Sequence, residues 1–381
     1  MGAAVAVVSS AFVGTAAAVI QEPPPAPLEI VVFPERDFVV TEGGPANQAL
    51  KFEIRRQGFV IGTASSSQVT PSLLTDAAGL LEVNHPGGLC WSGSTPNILP
   101  GDKLVVTDEA SPTDGFAVTT QNVRATQAEI VGTDVVVHGV ALNGDGSPMP
   151  LSRVEQRIVQ PEFREPPEPL EKRDIRATTD DGNLRRDPAV TGGFIATHSG
   201  LTAVQRQKAV DGQTRVLGWQ ATNAAGDRLG ITIYEVGELG GPGFGGCPQG
   251  QTGPSAPRLA AADDSGKRGD HITKQSANLT FAGLAGSDIS SANAEPGPGA
   301  EVTLLVDGAA RATGTANANG VYRFASIRLA ARTHSVRVRA KDPGAAPTFI
   351  SPTRRVKIDK AAPRVVLRGA RPNPLHLAGP E

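Results

Sequence analysis

The sequence predicts an all-β protein of tandem sandwich domains, and three observations predict it. Gly 44 and Pro 31 are abundant while aromatic residues make up only 4%, which favours short strands joined by many turns over long packed helices. Apolar residues repeatedly alternate with charged ones at period two, as where Leu50, Phe52 and Ile54 interleave with Lys51, Glu53 and Arg55, the pattern of half-buried strands. The length of 381 residues exceeds one sandwich and suits two or three modules of roughly 100 residues each.

Charge and cysteine content narrow the function classes. Lys+Arg 36 against Asp+Glu 38 gives a net charge of -2, so no global field recruits nucleic acid or an anionic membrane. Two cysteines, Cys90 and Cys247, are too few for a disulfide scaffold and lack the spacing of a structural zinc site. Residues 1–22 read as a signal peptide or membrane anchor. Gly2 to Ile20 is an uncharged Ala/Val-rich run containing Ala16-Ala17-Ala18, and no basic segment precedes it, leaving removal and retention both open. An exported chain, secreted or displayed on the cell surface, is the expectation, with membrane contact only through that segment.

The elements follow in order. Residues 23–27, Pro-rich, read as a stiff spacer. Residues 28–122 read as a first immunoglobulin-like sandwich, with a hairpin around Gly58 and strands at Leu81–Val83, Leu104–Thr107 and Phe116–Thr120. Residues 123–236 read as a second. There Glu129 to Leu142 forms two strands or one long bulged strand, Asn143-Gly144-Asp145-Gly146 is a hairpin turn, and Phe194–Thr197, Thr214–Gln220 and Leu229–Val236 are strands. Within it, 161–186 reads as a charged, Pro-rich insertion displayed as a loop. Residues 237–263 read as a Gly/Pro-rich linker, 264–363 as a third sandwich and 364–381 as the start of a further repeat or a tail. In the third, Val302, Leu304 and Val306 run into the turn Asp307-Gly308, and Val336, Val338 and Ala340 face opposite to Ser335, Arg337, Arg339 and Lys341.

The third module resembles the bacterial Ig-like repeat family of long surface proteins and adhesins of the Bap and giant-adhesin type. The likeness rests on Asp263-Asp264-Ser265-Gly266-Lys267-Arg268-Gly269-Asp270-His271-Ile272-Thr273, on Ala300-Glu-Val-Thr-Leu-Leu-Val-Asp307-Gly308, on Thr315-Ala-Asn-Ala-Asn-Gly320-Val-Tyr322, and on Thr333 to Asp342 with Ile358 to Pro363. Gly286 to Ala294 and Asp342-Pro-Gly-Ala-Ala depart from the family pattern. The first two modules resemble exported Ig-like proteins of actinobacteria through Val32-Phe-Pro-Glu-Arg-Asp-Phe38 and Leu81 to Gly88. These resemblances imply location and architecture, and the first implies calcium at repeat junctions, with Asp263, Asp264 and Asp270 as oxygen ligands. The alternative is a solvated acidic loop beside Lys267 and Arg268.

Other candidates weigh against chemistry. Cys90 and Cys247 form either a disulfide clamping the first two modules or two separate thiols. Gly241, Gly243 and Gly246 satisfy GxGxxG, but no helix follows to receive a pyrophosphate, so no nucleotide is expected. The histidines, His85, His138, His198, His271, His334 and His376, show no metal-binding spacing, and His198-Ser199 lacks a nucleophile elbow. Trp91 is either a core residue or a sugar-stacking platform. The expectation is a non-catalytic extracellular structural or adhesion protein with calcium as the one candidate cofactor, whose partner is an unidentified protein or glycan surface. The alternative is a calcium-dependent or carbohydrate-binding accessory protein.

Overall fold

A computed structural model describes residues 20–92, 95–164, 174–237, 247, 253–265, 267, 269–286, 297–341 and 348–360. The chain divides into two compact units, one reaching to Ser255 and the other opening at Ala256. In the first unit the strands are β1 (Ile20–Gln21), β2 (Glu29–Phe33), β3 (Phe38–Glu42), β4 (Leu50–Arg56), β5 (Phe59–Ser65), β6 (Leu81–Val83), β7 (Lys103–Asp108) and β8 (Ser111–Thr119). They are followed by β9 (Asn122–Ala125), β10 (Glu129–Val131), β11 (Asp134–Leu142), β12 (Val154–Val159), β13 (Asp174–Ala177), β14 (Leu184–Arg186) and β15 (Gly193–His198). Helix α1 (Ala203–Val210) precedes the long strands β16 (Gln213–Thr222) and β17 (Arg228–Val236).

These strands make three sheets: β1-β8-β7-β4-β5, β10-β11-β15-β14 with β9 beside β11, and a seven-stranded sheet β13-β12-β16-β17-β2-β3-β6. The first core lies between the β4-centred sheet, which contributes Phe52, Ile54, Leu104 and Val118, and the β2-β3-β6 side of the seven-stranded sheet, which contributes Ile30, Val32, Val39 and Val83. A second core sets Val135, Val137, Phe194 and Ala196 of the β11-centred sheet against Val154, Ile158 and Val216. The strand alternation that fills both cores is period two; β4 reads buried at every second position, as its sequence demands.

The two sandwiches share one continuous sheet. Parallel pairing of β17 with β2 places Ile231 opposite Val31 and Thr232 opposite Val32, so each strand covers an edge that would otherwise expose unpaired backbone groups. The register also puts Val32, Thr232, Gly218 and Val154 on one face, so both cores lie on the same side of that sheet.

Three expectations need correction. The stretch 23–27 is not a spacer outside the fold: Ile20 and Gln21 pair with Gly115 and Phe116, so the chain enters on one sheet and crosses through the prolines to β2 on the other. Residues 20 and 21, inside the segment 1–22 read as signal peptide or anchor, thus belong to a sheet, while residues 1–19 lie outside the described ones. The segment 161–186 is not simply a loop, because β13 pairs with β12 and β14 with β15. Single apolar residues suffice there, since Ala177 and Leu184 face inward at 0% and 4% exposure while the charges between them face out, as edge strands permit. Helix α1 was not anticipated; Thr202 and Gln205 close a capping box at its start, a signal that Thr-x-x-Gln carries.

The second unit holds β18 (Arg258–Leu259), β19 (Ile272–Thr273), β20 (Leu279–Leu284), β21 (Glu301–Val306), β22 (Ala309–Thr315), β23 (Val321–Ile327), β24 (Thr333–Lys341), β25 (Phe349–Ile350) and β26 (Arg354–Ile358). Sheets β18-β20-β23 and β19-β26-β24-β21-β22 close on a core that includes Phe281, Leu304, Tyr322, Val338 and Val356. Strand β18 lies inside the stretch 237–263 read as linker. Asp307-Gly308 makes the expected turn, with φ of 52° and 84°. The further repeat at 364–381 lies outside the described residues. The fold is all-β, of tandem immunoglobulin-like sandwiches.

Candidate functional site

The joint between the first two sandwiches concentrates the buried polar chemistry. Glu22, on the crossing segment, accepts hydrogen bonds from Lys103 of β7 and Thr119 of β8, and from Gln220 of β16 at 3.0 Å. Burial pushes its carboxyl up, but these donors outweigh it and hold the pKa below the usual value, as hydrogen bonds to the charged form do. Gln220 also accepts from the Thr119 backbone N–H at 3.1 Å, and Thr232 Oγ1 accepts from the Gln121 N–H at 2.9 Å. One carboxylate thus holds residues of both sandwiches.

The outer face of the seven-stranded sheet carries two more buried carboxylates. Glu155, its side chain 2% exposed, contacts Arg157 and Arg228, and Arg176 at 3.8 Å. Glu235 lies between Arg36 at 2.6 Å and Arg215 at 2.7 Å. Beside them Val31, Trp219 and Ile231 form a small apolar cluster with Phe33, Val40 and Ile233. The Arg228 guanidinium stands 4.4 Å over the Trp219 ring, a cation–π contact. Each of these buried carboxylates has guanidinium partners, which is the condition for burying it.

Cys90 and Cys247 are brought together as a disulfide, Cα to Cα 5.2 Å. Cys90 follows the last strand of the first sandwich's β2-β3-β6 group, and Cys247 follows β17, so the bond returns the chain leaving the second sandwich to the first.

Asp263, Asp264 and Asp270 are not brought together as calcium ligands. Asp263 accepts from the Thr280 N–H at 2.7 Å, Asp264 from the Gly269 N–H at 2.7 Å and Asp270 from the Ile272 N–H at 2.9 Å. Asp264 and Asp270 cap their own backbone turns, which is what short acidic side chains do in loops, and Asp263 reaches across to the start of β20. Among the described residues no group of three or more His, Cys, Asp or Glu is placed to hold a metal. Asn143 closes the expected hairpin turn, accepting the Gly146 N–H at 2.8 Å.

Trp91 is a core residue, 3% exposed, with its indole N–H donated to the Asp37 carbonyl at 2.9 Å. Gly241, Gly243, Gly246 and His376 lie outside the described residues. Of the other histidines, His198 carries the most consequence. It is 5% exposed and its Nε2 lies 2.6 Å from Gln156 Oε1. Burial pushes its pKa down to about 4, against a smaller opposing pull from Asp181. Between that value and the ordinary one of about 6.5 the unfolded chain binds the proton and the folded chain does not, so stability rises with pH across this window. Acidification from pH 7.5 to about 4 should therefore cost about 3 kcal/mol through this residue. Urea unfolding midpoints across that range should show the loss, and His198→Gln should flatten the slope; an unchanged slope in the variant would assign the acid sensitivity elsewhere.

No family model and no curated protein matches the chain. Among solved structures it is similar to the BSP domain of a biofilm-associated protein, at TM-score 0.18 and 11% identity over 86% of this chain and 64% of that one. It is similar to a central fibronectin-III array of RIM-binding protein, at TM-score 0.20 and 12% identity over 88% of this chain and 96% of that one. It is also similar to the MG0-NIE-MG1 portion of native alpha-2-macroglobulin from Escherichia coli, at TM-score 0.15 and 14% identity over 88% of this chain and 97% of that one. The chain thus spans under two thirds of the biofilm-associated structure.

Proposed function

We propose that the protein is a non-catalytic structural or adhesive protein, exported and held outside the cell, in which Ig-like sandwiches act as a stiff scaffold. The observation that carries this reading is the shared seven-stranded sheet of the first unit. Modules strung on flexible linkers move independently, whereas two sandwiches that share a hydrogen-bonded sheet transmit load as one body. The disulfide supports export, since such bonds persist in oxidising compartments. The buried charges support a scaffold over a catalyst, because Glu22, Glu155 and Glu235 are each engaged by neighbouring groups that hold the sheets together.

Cells displaying the chain are expected to attach to a surface or to each other under flow better than cells lacking it. Pulling the oxidised protein from its ends in a force spectrometer should rupture the first two sandwiches in one event. Two separate events, or turnover by the intact protein on a broad hydrolase panel, would overturn the reading.

A further inference from the structure

The near-neutral charge of the whole chain hides an uneven division. Acids predominate before residue 256, whereas from there on lysines and arginines outnumber acids almost two to one, and residue 256 is where the second unit opens. Strand alternation decides where that excess stands. On β24, Thr333, Ser335, Arg337 and Arg339 face out while His334, Val336, Val338 and Ala340 are buried. On β26, Arg355 and Lys357 face out while Val356 and Ile358 are buried. Register sets Arg355 opposite Ser335 and Lys357 opposite Thr333. The outward bases therefore form one band, from Lys357 and Arg355 on β26 to Arg337, Arg339 and Lys341 on β24, about 27 Å long at the rise of a strand.

The band is narrow and little compensated. On one flank β21 sets Leu305, Thr303 and Glu301 opposite Arg337, Arg339 and Lys341, so a single acid faces three bases. Lys357 pairs with Asp359 at 2.7 Å, and Arg337 donates to the Thr353 hydroxyl. Among the described residues Arg339, Lys341 and Arg355 have no hydrogen-bond or ion-pair partner. No aromatic ring stands on the outward positions of β21, β24 and β26. Like charges lined up without counter-ions repel one another, and a partner of opposite sign relieves that repulsion.

We propose that this face binds a linear acidic polysaccharide, its carboxylates laid along the band from Lys357 to Lys341. Arginine forks take carboxylates bidentately, and a line of single side chains matches the width of one polymer strand. A nucleic-acid duplex is read by a helix or ribbon inserted into a groove, which a flat sheet face does not supply. Single strands use aromatic platforms for their bases, and a neutral glycan needs such rings to stack on; the face has none. The inference names a partner for the adhesive reading and rests on it for the presence of a glycan outside the cell. Binding by the purified protein is nonetheless separable from the attachment of cells.

The test passes the intact oxidised protein over immobilised polygalacturonate, with neutral dextran, duplex DNA and phosphatidylglycerol vesicles as comparison surfaces. Polygalacturonate should bind saturably at about 50 mM salt and about tenfold more weakly at about 300 mM, as counterion release requires, and dextran should not bind. Arg339→Ser with Arg355→Ser should weaken polygalacturonate by about tenfold, with melting temperature reporting that the variant is folded. Arg323→Ser with Arg328→Ser removes two exposed bases at β23, in the other sheet of the same unit, and should leave binding unchanged. Equal losses in the two double variants would show that net charge and not this face binds, and would overturn the proposal. Tighter binding of DNA or of the vesicles than of polygalacturonate, or no binding at all, would also overturn it. Salt-sensitive self-association in sedimentation, abolished by Arg339→Ser with Arg355→Ser, would assign the face to the acidic first unit of a second copy instead. Intact polygalacturonate binding by a protein whose cells attach no better would sink the adhesive reading and leave this one standing.

Discussion

Reduction of the Cys90–Cys247 bond should lower the melting temperature of the first unit by about 10 to 20 °C. The bond closes a loop of 157 residues, and removing a closure of that length from the unfolded chain releases entropy worth about 5 kcal/mol in the chain-entropy account. A folded unit of this size shifts about 2 to 4 °C per kcal/mol. The loop encloses β7 through β17, so it contains β7 and β8 of the first sandwich's β4-centred sheet and all of the second sandwich. Breaking it frees the end of the second sandwich from the first, and the parallel β17–β2 pairing must then hold the joint with Glu22 and the Gln121–Thr232 bond. Melting the protein with and without a phosphine reductant, and melting Cys90→Ser, measures this. Coincident melting curves for the oxidised and reduced forms would mean that the joint is held by the sheet alone.

The strands were legible where one face is apolar and the other charged. Leu50 to Arg56 and Val336 to Ala340 alternate without interruption, and the structure buries the apolar set in both. Turns with Asn, Asp and Gly were legible for the same local reason, as at Asn143 and Asp307. What the sequence could not disclose was which edges meet. The β17–β2 pairing joins residues 200 positions apart in register, Val31 with Ile231, and period-two alternation is equally satisfied by an edge strand and an interior one. The crossing prolines were misread because their composition is that of a linker; their place is fixed by Glu22 and by the β1–β8 pairing, both long-range. The charged edge strands β13 and β14 escaped for lack of apolar residues. The acids at Asp263, Asp264 and Asp270 were visible as a cluster, yet their direction depends on backbone amides that residue types do not reveal.

Severing the Arg56–Asp102 pair should be the most damaging single-residue change in the first sandwich after loss of the disulfide, and its two halves should fail differently with pH. Arg56 and Asp102 are 4% and 1% exposed. The guanidinium donates to both carboxylate oxygens at 2.8 and 2.6 Å and to the Asn97 carbonyl at 2.7 Å, while Asp102 also accepts the Leu99 N–H at 2.8 Å. The pair fastens the end of β4 to the loop that leads into β7. Removing either partner leaves a buried charge without its counter-ion, a cost of about 3 to 5 kcal/mol. Burial already pushes the Asp102 carboxyl above its usual pKa in spite of Arg56. In Arg56→Met the raised value rises further, so the folded state takes up a proton before the unfolded chain does, and the defect should shrink as the pH is lowered. In Asp102→Asn the stranded guanidinium cannot shed its proton, so the defect should persist at every pH. The double variant Arg56→Met with Asp102→Leu should recover much of the loss, since an apolar pair of similar volume often replaces a buried ion pair without penalty. Urea unfolding of the three variants at pH 7.5 and pH 5 reads all of this. Parallel pH profiles for the two single variants would show that the loop, and not the charge, is what the substitutions disturb.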